Sequence, residues 1–158
     1  MRHGDATDLT GQDHDRQLTE QGITKTTRAA QVLKGFDIHF HAIYSSPRLR
    51  AQQTAAIIAE VMDAKVILRE EVNFGFSLQK VELLIESAPE NANILFVGHN
   101  PSISDVIHRL TGANINMRKG ALARVDLLRP GLLRGELVYL ITPKAFKVLA
   151  TGSDQDEA

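Results

Sequence analysis

The apolar residues of this chain keep changing period, and that constrains the fold more than any other feature. Short apolar runs at residues 42–44, 66–68 and 94–97 have the length of buried strands. Between them lie segments whose apolar residues recur every three or four positions, the signature of amphipathic helices. Thr19 is a good N-cap and Gly35 a good terminator for a first helix, with Ile23, Thr27, Ala30 and Leu33 as its inward stripe. Pro47 suits the start of a second helix over 48–62, with Ala51, Ala55, Ile58 and Val61 facing in. A third is predicted over 78–87, stopped by Pro89, and a fourth from about 101 to 110, closed by Gly112. Strand and helix in alternation predict an α/β layer architecture built on parallel strands.

After Gly112 the rhythm changes. Residues 122–127 and 136–141 read as two strands joined by a turn at Pro130-Gly131, and 144–149 as a short closing helix. Residues 1–150 are expected to form a single domain and the acidic segment 151–158 a disordered tail.

Composition removes several classes of function. Lys and Arg number 18 against 19 Asp and Glu, a net charge of −1, so neither nucleic acid nor a membrane surface is an expected partner. There is no Cys, which excludes disulfides, thiolate nucleophiles and iron–sulfur clusters. No apolar run approaches the length of a membrane span, and the polar start does not resemble a signal peptide, so a cytoplasmic location is expected.

Three polar constellations occupy the kind of place where α/β proteins bind ligands, beyond the carboxyl ends of strands. Arg2-His3-Gly4 lies at the start, Ser46-Pro47-Arg48-Leu49-Arg50 follows one strand, and Gly98-His99-Asn100-Pro101 follows another. Guanidinium forks match phosphate oxygens, and a neutral imidazole can attack phosphorus. Neighbouring Arg charges hold such an imidazole unprotonated. Of the remaining histidines, His14 and His108 read as structural, and His39 with His41 lacks a third ligand for a metal.

With Leu18-Thr19-x-x-Gly22 and Ser46-Pro47-x-x-Arg50-Ala51-x-Gln53-Thr54 added, the chain resembles the histidine phosphatase superfamily. Its length, the Asp15-Arg16-x-Leu18-Thr19 segment and its ending are similar to the SixA-type phosphohistidine phosphatases. The resemblance implies a three-layer α/β/α sandwich with a mostly parallel central sheet, phosphoglycerate mutase-like. It implies that His3 is the phosphorylated nucleophile, that Arg2 and Arg50 hold the phosphoryl oxygens, and that His99 donates to them in the transition state. Gly4, Arg16, Ser46 and Asn100 are expected substrate contacts, and Arg48 at best an outer one. Glu71, or Glu70, is the candidate general acid, although SixA-type members generally lack one.

The activity implied is metal-independent hydrolysis of phosphohistidine on a protein through a phosphohistidine intermediate, without a cofactor. The expected partners are phosphate and a phosphorylated protein, such as a phosphohistidine-bearing signalling or phosphotransfer protein. A shallow site without a long inserted lid favours a protein substrate. A phosphatase or mutase acting on a small phosphoester is the alternative enzyme, and a catalytically silent phospho-binding module the alternative of another class. Family members carry a hydrophobic strand before Arg-His-Gly, whereas only Met1 precedes it here, so a truncated first strand is expected.

Overall fold

The computed structural model describes residues 1–8 and 11–152. In order, the elements are α1 (Glu20–Lys34), β1 (Phe40–Ser45), α2 (Leu49–Met62), β2 (Val66–Leu68), α3 (Leu78–Ile85), β3 (Asn93–Val97), α4 (Ser102–Thr111), β4 (Leu122–Leu127), β5 (Gly135–Ile141) and α5 (Pro143–Gly152). Short 3-10 turns at Asp13–Asp15 and Glu70–Val72 complete it. The predicted alternation is present, with boundaries moved by a few residues. The closing helix is longer than expected and includes Thr151 and Gly152, assigned from sequence to the tail. The rest of that tail, 153–158, lies outside the described residues.

β2, β1 and β3 form a parallel sheet in that order, and β4 pairs antiparallel with β5. What joins the two sheets is the backbone of residues 1–3. Gly98 N donates to Met1 O and His3 N to Gly98 O, each at 3.1 Å, on the β3 side. On the other side Arg2 N donates to Ala121 O at 3.1 Å, and Gly120 N to His3 O at 2.8 Å. Residues 1–3 run alongside β3, with a parallel bridge between Arg2 and Gly98, and carry His3.

Helices cover both faces of this sheet. α1, α2 and α5 pack on one side around Leu33, Ile43, Ile58, Val97 and Phe146. α3 and α4 pack on the other around Val72, Val81, Leu84, Ile103 and Met117. This is the three-layer α/β/α arrangement, with the mostly parallel sheet that the sequence predicts.

Two predicted helix faces need correction. In α1 the buried residues are Gly22, Thr26, Ala29, Ala30 and Leu33, whereas Ile23 is 44% exposed and Thr27 only half-buried. The stripe is rotated because Gly22 sits against the backbone after His3. A Cβ there would lie 2.2 Å from Asp5 O, so only glycine lets the helix approach. In α2 the buried face includes the polar Arg50 and Thr54, and Val61 stands at its margin. A site rather than a core claims part of that face.

Candidate active site

The strand-to-helix turns after β1 and β3 meet the start of the chain, so His3, Arg50 and His99 share one buried pocket although they are far apart in sequence. His3 is 6%, Arg50 3% and His99 2% exposed. The His3 Nδ1 lies 2.7 Å from Gly4 O. A carbonyl only accepts, so Nδ1 carries the hydrogen and Nε2 keeps its lone pair. Arg50 Nε donates to that Nε2 at 3.2 Å.

The residues of the Ser46–Thr54 motif brace this arrangement. Gly4 N donates to Thr54 Oγ1 at 3.0 Å, and the Thr54 hydroxyl donates to Arg50 O at 2.7 Å. Gln53 Oε1 accepts from Leu18 N at 2.7 Å, tying α2 to the loop that precedes α1. Thr19 Oγ1 caps α1 by accepting from Gly22 N at 3.0 Å. The spacing of the motif is thus the spacing of one helix face turned toward the His3 loop.

Electrostatics keep both imidazoles neutral. Burial pushes His3 down to about 4; its hydrogen bond to Gly4 O opposes this, and the charges of Arg50, Arg2 and Lys119 add to it. His99 is pushed to about 3, by burial first and then by His3, Arg50 and Arg48. The ring centroids of His3 and His99 are 5.2 Å apart. His99 Nε2 lies 2.7 Å from Ser46 Oγ, and its Nδ1 is buried without a partner among the described residues. Arg2 donates through NH1 to Met117 O at 3.1 Å, and its Nε is likewise buried without a partner. Arg2 Nε can only donate, and His99 Nδ1 donates in the tautomer whose Nε2 accepts from the Ser46 hydroxyl; in that form the two atoms call for a ligand that supplies acceptors.

One carboxylate within the cluster has no counterpart among the residues selected from sequence. Asp13 Oδ2 accepts from Arg50 NH2 at 3.1 Å and from Arg48 NH1, and its Oδ1 accepts from Arg16 NH1 at 3.2 Å. Partial burial opposes its charge, but the hydrogen bonds of Arg16 and Arg50 outweigh it and hold the carboxyl below its usual range. Arg48 is therefore part of the cluster rather than an outer contact. Its Nε donates to Asn73 Oδ1 at 2.9 Å, and its guanidinium lies 4.2 Å over the ring of Phe74. Phe74 in turn stands 4.8 Å from the His99 ring and is 48% exposed.

The residues expected to touch the substrate are hydrogen-bonded within the protein. The Gly4 amide is committed to Thr54, Arg16 to Thr7 O and Asp13, and Ser46 to His99. Asn100 Nδ2 donates to Met117 O and its Oδ1 accepts from Ser104, so the side chain braces the loop before β4. Glu71 is held by two bonds from Arg69, at 3.0 and 2.8 Å, which bring its carboxyl to about 2. Glu70 accepts from Asn73 Nδ2 at 3.1 Å. Neither glutamate hydrogen-bonds any member of the His3 cluster.

The sequence profile of the histidine phosphatase superfamily (branch 1) matches residues 1–75, which contain the Arg2-His3-Gly4 and Ser46–Thr54 motifs. An uncharacterized protein of Picosynechococcus sp. is 34% identical over 91% of this chain and 94% of its own length. The chain belongs to the histidine phosphatase superfamily. Among solved structures, the protein histidine phosphatase SixA complexed with tungstate superimposes on this superfamily member with a TM-score of 0.82, at 24% identity, over 91% of this chain and 95% of its own. A phosphoserine phosphatase mutant from Entamoeba histolytica, complexed with phosphoserine, gives 0.69 at 22% identity, over 91% and 95%. Both similarities establish a shared fold.

Proposed function

We propose that this histidine phosphatase removes the phosphoryl group from phosphohistidine on a protein, through a covalent phosphohistidine at His3 Nε2. The neutral ring with its lone pair on Nε2 is the form that attacks phosphorus. A bond forms from Nε2 to phosphorus as the bond from phosphorus to the substrate imidazole breaks. Water then attacks the same phosphorus, the bond to Nε2 breaks, and phosphate and a proton leave. Arg2 Nε and His99 Nδ1, both without partners, would donate to the equatorial oxygens, and Arg50 would neutralise their charge in place of a metal.

The observation that carries the choice of substrate is the state of the carboxylates. Among the described residues, the carboxylate within the His3 cluster, Asp13, is held ionised by arginines, and Glu71 is occupied by Arg69. An alkoxide leaving group needs a proton donor. An imidazole protonated on its remote nitrogen departs neutral and needs none. The half-exposed Phe74 ring beside His99 offers such a leaving group an aromatic surface.

The test is a turnover panel with a phosphohistidine peptide, a phosphoserine peptide and 3-phosphoglycerate, run with and without chelator. The expected result is turnover of the first alone, insensitive to chelator and abolished by His3→Ala. Faster hydrolysis of the phosphoesters would favour the small-molecule reading. Phosphate binding without turnover of any substrate would make the chain a silent binding module.

A further inference from the structure

Next to the His3 pocket, and sharing Arg2 with it, lies a groove of about 700 Å³ walled by Lys25, Arg118, Lys119 and Lys144. Asp5 is its acidic lining residue, and Asp5 is already paired with Lys25 at 2.8 Å. Arg118, Lys119 and Lys144 are exposed, and none has an ion-pair or hydrogen-bond partner for its side chain among the described residues. In a chain of net charge −1, three unpaired cations around one groove are a local surplus.

The groove is also fixed relative to the nucleophile. Gly120, at φ +78°, donates its N–H to both Arg2 O and His3 O, at 3.2 and 2.8 Å. That turn holds Lys119 beside the backbone of His3, and the Lys119 charge is one of those that depress the His3 pKa. Arg118 and Lys144 lie farther along the rim. Among the described residues no aromatic side chain lines the groove, so these offer nothing for bases to stack on.

We propose that Arg118, Lys119 and Lys144 dock an acidic segment of the phosphoprotein, rich in Asp and Glu and adjoining the phosphorylated residue. This rests on the phosphatase reading above and specifies the surface that such a substrate presents. Rim charges of this kind act through encounter and are screened by salt, so the effect falls on KM and fades as ionic strength rises.

Two phosphohistidine peptides, one flanked by glutamates and one by serines, test this together with a fluorescent hexaglutamate peptide. At low salt the glutamate-flanked peptide is expected to have a kcat/KM about tenfold higher, through KM. In R118S/K144S, checked for folding by circular dichroism, the ratio should fall to about one and hexaglutamate binding should be lost. Equal kcat/KM for the two peptides in the wild type, or a preference that survives in the double variant, overturns the docking site and leaves the phosphatase standing. Hexaglutamate binding that depends on Arg118 and Lys144, without turnover of either peptide, supports the groove and overturns the phosphatase. An oligonucleotide that binds more tightly than hexaglutamate overturns the acidic-protein assignment.

Discussion

Arg50 Nε donates to His3 Nε2 at 3.2 Å, and the NH2 of the same guanidinium donates to Asp13 Oδ2 at 3.1 Å. His3 and a fixed anion thus share one cation. A phosphoryl group arriving at His3 meets an Arg50 already engaged by a carboxylate. Arg50 keeps His3, Arg48 keeps Asn73 and Phe74, and Arg16 keeps Thr7 O if the carboxylate is lost. Competition therefore outweighs positioning. Asp13→Asn should tighten tungstate binding about tenfold, one anion no longer competing with another for the guanidinium. It should also lower the stability of the ligand-free protein by about 1–3 kcal/mol, because the buried Arg50 guanidinium loses its counter-ion. Urea titrations with and without tungstate measure both, and weaker tungstate binding would make Asp13 a positioning residue instead.

Glu71→Gln should leave turnover of a phosphohistidine peptide within about twofold of the wild type, because the leaving imidazole needs no acid from the protein. A kcat loss of a hundredfold would restore Glu71 as the proton donor and count against the proposed substrate, on the scale at which general acids contribute.

Phe74→Ala removes the ring beside His99 without touching the Nε2 of His3. KM for a phosphohistidine peptide is expected to rise about fivefold, the worth of roughly 1 kcal/mol of ring contact. A phosphoserine peptide, which has no ring, should bind as before. Equal losses for both peptides would mean that Phe74 supports the pocket rather than selecting the substrate.

The two buried imidazoles make stability depend on pH. An unfolded histidine takes up its proton near pH 6.5, whereas folded His3 stays neutral down to about 4 and His99 to about 3. Between these values the unfolded chain binds more protons, so stability falls as pH falls through this window and is fully present above it. Urea midpoints from pH 7 to 4.5 should decline less in His3→Gln than in the wild type. Parallel declines would show that the His3 ring is free to charge in the folded protein.

Gly22→Ala is expected to cost about 1–3 kcal/mol, the usual range for overpacking. The new methyl group would meet Asp5 O, a main-chain atom that cannot rotate away. A thermal melt reads the loss, and an unchanged midpoint would show that α1 does not pack on the His3 loop as described.

The sequence exposes what has a period or a motif. β3 and α4 flank Gly98-His99, and α1 begins at Thr19, where local capping and periodicity place them. The inward face of α1 was less accessible, because its rotation depends on a tertiary contact between Gly22 and Asp5 O that no periodicity reports. Asp13 carries one local signal, its position three residues before Arg16 in a 3-10 turn, but the arginines of α2 that converge on it come from a separate part of the chain. Phe74 lies in a short segment without apolar period, and only the turn after β2 brings it to His99. Glu71 was legible as an acid but not as an ion pair, since the sequence alone does not say whether it turns to Arg69, two residues away, or toward the site.

The three residues that join the parallel sheet to the antiparallel one include the proposed nucleophile. His3 N is held by the turn after β3 and His3 O by the turn before β4. The backbone that carries the imidazole is therefore fixed from both sides by main chain, while Gly4 O and Arg50 Nε orient the ring itself. If His3 is the nucleophile, a change that loosens the seam between the two sheets should lower turnover, and hydrogen exchange at the amides of His3 and Gly120 would report that loosening.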